Sequence, residues 1–217
     1  MIPLTRQDVL AHQAVVPWPS PRQIEQDLLL SRAIVALFND PFLRGQIAMR
    51  GGTVLHKVHL APASRYSEDI DLVVVEANVS ERKPHRPVVD MPFGLTFRNA
   101  PQQTVVRSFD IHEMLGAKMR ALFQRYRGRD LFDRHWALRE SGGLRVDPVE
   151  VANSFLYYMR LERTPVRRRT LLKELDLRLA DAGFCSDMEV LLRTGLTYDP
   201  QEAGRQVRET LVMRLPE

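Results

Sequence analysis

The run Asp69-Ile70-Asp71-Leu72-Val73-Val74-Val75 constrains the fold most, because it joins two acids to an unbroken series of aliphatic residues. Such a run is typical of a strand, and its apolar half predicts a central strand buried on both faces. Side chains alternate across a strand, so both acids are expected on one face with Cα atoms about 7 Å apart. Paired carboxylates suit a hard cation such as Mg²⁺, whereas on an edge strand the two acids would simply face solvent.

A glycine pair forms the second informative feature. Gly51-Gly52-Thr53 follows a short predicted strand at residues 46–50 and opens a predicted helix from Thr53 to about Leu60. The start of a helix offers free backbone N–H groups, and glycine lets a ligand approach the backbone closely. The pair therefore predicts a phosphate-binding turn, with an ordinary turn as the alternative.

The third feature lies in a helical region beyond residue 110. Lys118 occupies the otherwise apolar face of one predicted helix, and Asp130 begins the next. A lysine can reach a polyphosphate as a point charge. The structural alternatives are a lysine that extends to solvent and an aspartate that caps its helix.

Composition excludes several classes of protein. The chain has 217 residues and a single cysteine, Cys185, so neither a disulfide framework nor a cysteine-based zinc site is expected. A reducing cytoplasm is the simplest location. The N-terminal residues lack the pattern of a secretory signal, and no apolar run approaches the length of a membrane-spanning helix, so no membrane association is expected.

The basic residues are mostly arginine, with 27 Arg and 4 Lys among the 31 basic side chains. Arginine binds phosphate in a bidentate manner, which favours an anionic partner, although codon preference alone would give the same bias. The densest basic cluster, a candidate RNA-binding surface, consists of Arg160, Arg163, Arg167, Arg168 and Arg169. Nearby Tyr157 and Tyr158 are candidates for stacking on bases or for core packing.

The order of predicted elements divides the chain into an α/β lobe at residues 1–110 and a helical lobe at residues 111–217. Residues 76–92 contain three prolines and show no periodicity, so they are interpreted as a loop. Strands are predicted at residues 93–98 and 104–109. The helical lobe includes a predicted helix at residues 187–194.

Taken together, the three features resemble the AbiEii/AbiGii family of nucleotidyltransferase-like toxins, which includes the MenT toxins. The matching motifs are Gly51-Gly52-Thr53-x-Leu55-x-Lys57, then Arg65-x-Ser67-x-Asp69-Ile70-Asp71-Leu72, then Lys118-x-x-Ala121-Leu122-x-x-Arg125-x-x-x-Arg129-Asp130-Leu131-x-Asp133. The motifs occur in the family's order and span roughly residues 45–140.

The resemblance implies an α+β fold, with a minimal polymerase-β-like nucleotidyltransferase core (a small mixed sheet with flanking helices) and a helical C-terminal lobe that completes the active site. It implies Mg²⁺-dependent transfer of a nucleoside monophosphate, in particular a pyrimidine, from a nucleoside triphosphate to the 3′ acceptor end of tRNA. That reaction blocks aminoacylation and growth, and a cognate antitoxin protein restrains the toxin.

The resemblance also assigns roles to residues. Asp69 and Asp71 would hold Mg²⁺, and Lys118 and Asp130 would complete the catalytic set. The nucleotide-binding residues would be Gly51, Gly52, Thr53 and Ser67, with Lys57, Arg65 and Arg129 as further candidates. The sequence departs from the family pattern in one respect, because a third metal-binding acid on the following strand is not obvious and only Asp90 and Asp110 are candidates for it.

Two other interpretations remain open at this point. A nucleotidyltransferase with the same residues would act on a small-molecule or protein acceptor. A catalytically silent nucleotide- or RNA-binding module would keep the fold without turnover, although retention of both acids and Lys118 favours an enzyme.

Overall fold

The computed structural model describes residues 3–75, 84–139 and 146–217, and the chain divides into two compact units. The first unit comprises Met1–Phe109 together with Leu191–Leu196. The second comprises Asp110–Val190 and Thr197–Glu217. The segment Leu191–Leu196, which the sequence placed in the helical lobe, thus packs in the first unit.

A four-stranded mixed sheet forms the centre of the first unit. Its strands, in chain order, are β1 (Ile47–Arg50), β2 (Asp71–Val74), β3 (Val89–Phe97) and β4 (Ala100–Ser108). Their order in the sheet is β2-β1-β4-β3. β1 pairs antiparallel with β2 and parallel with β4, while β3 and β4 are antiparallel. The predicted small mixed sheet is therefore confirmed.

The position of β2 corrects one prediction. β2 lies at an edge of the sheet among the described strands and pairs only with β1, so the central strand predicted from its sequence is wrong. Only Val73 is buried, whereas Leu72 and Val74 are 39% and 54% exposed. A run of β-branched residues favours a strand, but it does not determine whether a neighbour covers each face.

A long hairpin replaces the predicted loop and short strands. Residues 76–83 of the predicted loop lie outside the described residues, and β3 already begins at Val89. β3 and β4 are joined by Arg98 and Asn99, whose φ angles of 50° and 62° give a two-residue turn of type I′. The strands are longer than the predicted 93–98 and 104–109, and β3 includes Pro92 of the predicted loop, because proline is tolerated where a strand edge needs no donor.

The helices of the first unit are α1 (Arg6–Gln13), α2 (Pro21–Asn39) and α3 (Gly51–Val54), with a π-helical segment at Leu55–His59. α2 has Pro21 in its first turn, and the Gln23 side chain accepts from the Ser20 N–H at 3.1 Å. The helix predicted from Thr53 to Leu60 is thus an α-helical turn followed by a π-helical one.

A buried ionic network ties these helices together. Asp27 of α2 is 1% exposed, and its carboxylate lies 2.6 Å from Nζ of Lys57 and accepts from Nε2 of His12 at 2.7 Å. Burial opposes ionisation of Asp27, but the hydrogen bond from His12 and the charge of Lys57 outweigh it and hold its pKa below the ordinary value. Burial in turn lowers the pKa of Lys57, against the attraction of Asp27. Lys57 also donates to Ser31 Oγ at 3.0 Å.

The second unit is helical. Its helices are α4 (Ile111–Gln124), α5 (Gly128–Leu138), α6 (Pro148–Leu161), α7 (Arg168–Leu179), α8 (Ala182–Ser186) and α9 (Pro200–Thr210), followed by a 3₁₀ turn at Val212–Arg214. Close approach of α4 and α6 requires Gly116, where a Cβ would lie 2.8 Å from the backbone nitrogen of Phe155. None of the helices in the described ranges is long and apolar enough to cross a membrane.

The predicted helix at residues 187–194 is wrong. The chain forms turns after α8, and Leu192 then makes an isolated bridge to Arg65 in the first unit. Asp181 ends the preceding helix early, since its side chain accepts from the Phe184 N–H at 2.7 Å and caps α8.

Replacing Asp27 with asparagine is expected to lower the free energy of unfolding by about 3–5 kcal/mol, because it leaves Lys57 buried without its counter-ion. Urea denaturation measures the loss. The control is Glu25→Gln, which removes an exposed carboxylate from the same helix. Because the pKa of Asp27 lies below its ordinary value, the contribution of its carboxylate to the free energy of unfolding is complete above about pH 4 and declines as the pH falls. The asparagine variant should lose this pH dependence. Equal stability of the two variants would contradict the role assigned to the network.

Candidate active site

The glycine pair sits at the end of β1. Arg50 is the last residue of β1, and Gly51, the first residue of α3, adopts a φ of +87°. This left-handed conformation costs a residue with a Cβ roughly 1–2 kcal/mol, which explains glycine at this position. The turn reverses the chain from the strand directly into a helix start, as the sequence predicted.

Both glycines are contacted by side chains of the second motif. A Cβ on Gly51 would lie 1.9 Å from Oδ2 of Asp71. A Cβ on Gly52 would lie 2.7 Å from an Nη of Arg65 and 2.8 Å from Oγ of Ser67. The space beside the turn is therefore filled by one carboxylate, one guanidinium and one hydroxyl, which approach the backbone because no side chain separates them from it.

The remaining motif residues join the same region. Thr53 is buried and its hydroxyl donates to the carbonyl oxygen of Asp69. Gln26 of α2 donates to the carbonyl oxygen of Glu68 at 2.7 Å. The first unit thus brings together Gly51, Gly52, Thr53, Arg65, Ser67, Asp69 and Asp71, all predicted site residues.

A segment distant in sequence fixes the Arg65–Ser67 stretch. The Tyr66 N–H donates to the carbonyl oxygen of Leu191 at 2.8 Å, and the Arg193 N–H donates to that of Ser64 at 3.0 Å. The Tyr66 ring packs edge-to-face on Trp18, with centroids 6.1 Å apart, and burial raises the pKa of Tyr66 to about 12. Sequence reasoning missed this support, because nothing local in residues 191–196 signals pairing with residues 64–66.

The two acids have the chemistry of a divalent-cation site. Asp69 and Asp71 are both exposed, so their carboxylates are free of a burial penalty. Asp71 begins β2 while Asp69 precedes the strand, so the expected alternation within one strand applies only to Asp71. The carboxylate oxygens, with the Ser67 hydroxyl on the same turn, are the hard donors that Mg²⁺ takes, and they fit such an ion. Within the described ranges, no group of three or more His, Cys, Asp or Glu side chains is placed to hold a metal.

Lys57 lies away from this set. Its ammonium is engaged with Asp27 and Ser31 in the buried network of the first unit. The two candidates for a third metal-binding acid, Asp90 and Asp110, likewise interact with other groups of the protein. Asp110 caps α4 by accepting from the His112 N–H at 2.9 Å, and Asp90 of β3 lies 3.6 Å from the guanidinium of Arg107.

In the second unit, Lys118 forms a buried ion pair. Its Nζ lies 2.6 Å from Oδ2 of Asp133, whose side chain is fully buried. Asp130 is the third residue of α5 and is 4% exposed, and its Oδ2 has no hydrogen-bond partner among the described residues. Arg127, not Asp130, occupies the N-cap position, so the capping alternative for Asp130 is wrong.

Arg134 completes this charged cluster, and the sequence analysis missed it. The side chain is fully buried, and burial lowers its pKa to about 10, against the attraction of Asp130 and Asp133. Its sequence signal is weak, because an arginine on a helix usually extends to solvent. Here it supplies the second positive charge beside the two acids of the third motif.

The arginines of the basic cluster fall at the end of α6 and the start of α7. Those that are exposed are Arg160, Arg163, Arg167 and Arg169. Arg168 is engaged instead, since its Nε and Nη2 donate to the carbonyl oxygen of Leu215 at 2.9 and 2.6 Å. Of the two neighbouring tyrosines, Tyr158 donates its hydroxyl to the buried carboxylate of Glu113.

A family model described as "Nucleotidyl transferase AbiEii toxin, Type IV TA system" matches residues 32–86 and 74–205. The chain therefore belongs to the AbiEii nucleotidyltransferase toxin family of type IV toxin–antitoxin systems, as the resemblance predicted. Membership implies a nucleotide substrate and an antitoxin partner.

A solved structure shares the fold. MenT4, a nucleotidyltransferase toxin from Mycobacterium tuberculosis H37Rv, superposes with a TM-score of 0.63 at 16% sequence identity. The match covers 98% of this chain and 91% of that chain, which confirms the predicted α+β nucleotidyltransferase fold. No curated protein sequence matches the chain at a significant level.

Replacing Gly51 with alanine is expected to lower the free energy of unfolding by at least about 1–2 kcal/mol, the cost of a Cβ in the left-handed region. The Cβ also displaces the Asp71 carboxylate, so binding of a nucleoside triphosphate in the presence of Mg²⁺ should be lost. Thermal unfolding and titration calorimetry measure the two effects. Gly45→Ala is the control, since no heavy atom lies within 4 Å of its Cβ. Identical behaviour of the two variants would refute the arrangement at the turn.

Proposed function

We propose that this chain is a Mg²⁺-dependent nucleotidyltransferase that adds a nucleoside monophosphate, preferentially a pyrimidine, to the 3′ acceptor end of tRNA. The observation that carries the proposal is the convergence of Asp71, Arg65 and Ser67 on the two glycines that end β1. A carboxylate, a guanidinium and a hydroxyl beside a glycine turn are what a triphosphate with its metal ion requires. Family membership supports the reaction class, and the resemblance supports the acceptor and the base.

Each residue then has a defined task. The backbone N–H groups at Gly51 and Gly52 and the Arg65 guanidinium bind the triphosphate oxygens, and the Ser67 hydroxyl binds a phosphate beside the metal. Asp69 and Asp71 hold Mg²⁺, which when bound lowers the pKa of the attacking hydroxyl and offsets charge on the phosphates.

The reaction is a substitution at the α-phosphorus. A ribose hydroxyl oxygen of the acceptor forms a bond to the α-phosphorus as the bond to the pyrophosphate oxygen breaks. The hydroxyl proton is released, and pyrophosphate leaves with its negative charge. The residues of the turn contribute chiefly by positioning the triphosphate and by electrostatic stabilisation, since they form no covalent bond to the substrate.

The roles proposed for the third-motif residues rest on the resemblance to the family. We assign Lys118 to the nucleotide's phosphates and Asp130 to the catalytic set, with Arg129 as a further phosphate ligand. The buried Asp133 fixes the Lys118 side chain, and the buried Arg134 guanidinium places a second positive charge beside Asp130 and Asp133. Outside this cluster, the exposed arginines of α6 and α7 provide a phosphate-binding surface for the acceptor RNA.

The Asp69→Ala and Asp71→Ala variants are expected to lose transfer by roughly 10³-fold and to keep the wild-type melting temperature, because both side chains are exposed. The assay incubates the full chain with total tRNA, Mg²⁺ and each α-labelled triphosphate in turn. Glu68→Ala, which removes the exposed acid beside Asp69, is the control and should remain active. Wild-type transfer by Asp69→Ala would refute the assignment, and label on protein rather than tRNA would refute the acceptor.

Reversing the charges of Arg167 and Arg169 to glutamate is expected to weaken tRNA binding, more strongly at about 50 mM salt than at about 200 mM. Arg168 is left unchanged because it binds the carbonyl oxygen of Leu215. Fluorescence anisotropy with labelled tRNA measures the affinity across this salt range. An affinity equal to that of the wild type at low salt would remove these residues from the RNA-binding surface.

A further inference from the structure

A groove in the first unit lies apart from the residues assigned above. It consists of two adjoining clefts of about 720 Å³ and about 400 Å³, formed where the end of α2 and the loop after it face β3 and β4. The clefts share Asn39 and Gln103, so they form one continuous feature, here called the α2–β4 groove. Cavities of this size hold small ligands or a few units of a polymer.

The lining of the groove is positively charged. Arg32 lines the smaller cleft, and Arg44 and Arg107 line the larger one. Asp90 is the only acid among the described residues that line either cleft, and it lies 3.6 Å from Arg107. Arg107 also donates to the carbonyl oxygen of Gly45 at 2.8 Å, which leaves Arg44, an exposed residue, as the most available cation.

Two buried donors in the lining lack acceptors. Arg32 is 7% exposed and Thr104 is 8% exposed. Neither Nη1 of Arg32 nor Oγ1 of Thr104 has a hydrogen-bond partner in the part of the chain that the structure describes. The Arg32 guanidinium lies 4.3 Å from the ring centroid of Phe97, which holds it in place. Buried donors without acceptors are costly, so their presence in both clefts points to a ligand that supplies acceptor oxygens.

The other lining groups indicate what that ligand is. Gln103 presents a side-chain amide, a group that pairs with the edges of nucleobases, whereas the Asn39 amide donates to the carbonyl oxygen of Gln103 at 3.1 Å. Phe93 and Pro92 offer flat apolar surface to the same cleft. Arginine for phosphate, amide for base edge and a flat apolar surface for a base together match an unpaired nucleic-acid strand.

We propose that the α2–β4 groove binds a single-stranded segment of nucleic acid, with its phosphates at Arg32, Arg44 and Thr104 and its bases at Gln103 and the apolar surface of Pro92 and Phe93. The inference rests on the proposed function in that the strand belongs to the RNA acceptor. The groove lies at the start of β1, whereas the glycine pair follows the end of that strand. The groove is therefore a second binding surface for the acceptor RNA, and it takes no part in the transfer reaction.

The first test measures binding of a fluorescein-labelled single-stranded RNA of about ten nucleotides to the full chain by anisotropy. Arg44→Ala should raise Kd roughly tenfold and reduce the slope of log Kd against log salt by about 0.7, the value for one lost phosphate contact. Arg6→Ala is the control, because it removes an exposed arginine of the same unit that lines neither cleft.

A second variant separates binding from stability. Thr104→Val keeps the shape of the side chain but removes the unpartnered hydroxyl, so it should raise the melting temperature of the free protein while weakening RNA binding. A purely structural threonine would leave Kd unchanged. Kd values for both variants equal to that of Arg6→Ala would overturn the proposal, as would equally effective displacement of the RNA by uridine monophosphate or by an acidic decapeptide.

The tRNA transfer assay distinguishes failure of this inference from failure of the proposed function. If the wild type transfers nucleotide to tRNA and both groove variants show its KM for tRNA, the groove proposal is refuted and the function stands. If the wild type transfers nothing to tRNA but the groove variants lose RNA binding as expected, the groove proposal stands and the function is refuted.

Discussion

The approach of the Asp71 carboxylate to the Cα of Gly51 is the contact on which the rest of the candidate site depends. β1 and β2 pair in a register that sets Arg50 opposite Asp71, and the chain turns at Gly51 immediately afterwards. Any side chain at residue 51 would occupy the position of the carboxylate. The carboxylate therefore depends on three features together: the strand register, the left-handed turn and an acid at the first position of β2. A change in any one of them separates the carboxylate from the backbone that would bind phosphate.

Part of the candidate site could be predicted from local sequence. Glycine at a strand end and acids at the start of an aliphatic run follow from short-range rules. Ser67 and the small mixed sheet were predicted only through the resemblance to the family. Long-range pairing was not predictable from local sequence, and this explains the errors. The edge position of β2 depends on which strands pair with β1, and the support of Tyr66 by Leu191 joins residues far apart in the chain.

The scarcity of lysine acquires meaning from the structure. Two of the four lysines, Lys57 and Lys118, neutralise buried aspartates at 2.6 Å, one in each unit. Arginine is the usual choice for buried pairs because it is weakly hydrated and donates in several directions, but a lysine needs less space and makes a single compact contact. The motif lysines therefore stabilise their own unit, independently of any ligand.

This dual role decides how the third motif must be interpreted. Removing Lys118 takes away the 2.6 Å ion pair of the fully buried Asp133, which is destabilising whatever the lysine does in the reaction. A loss of activity in such a variant would therefore measure folding as well as phosphate binding. Asp69 and Asp71 differ, because both side chains are exposed, so substitution there removes no fully buried carboxylate and perturbs the fold less than the loss of Lys118. The acidic pair, not the lysine, is the position at which function and stability are physically separable.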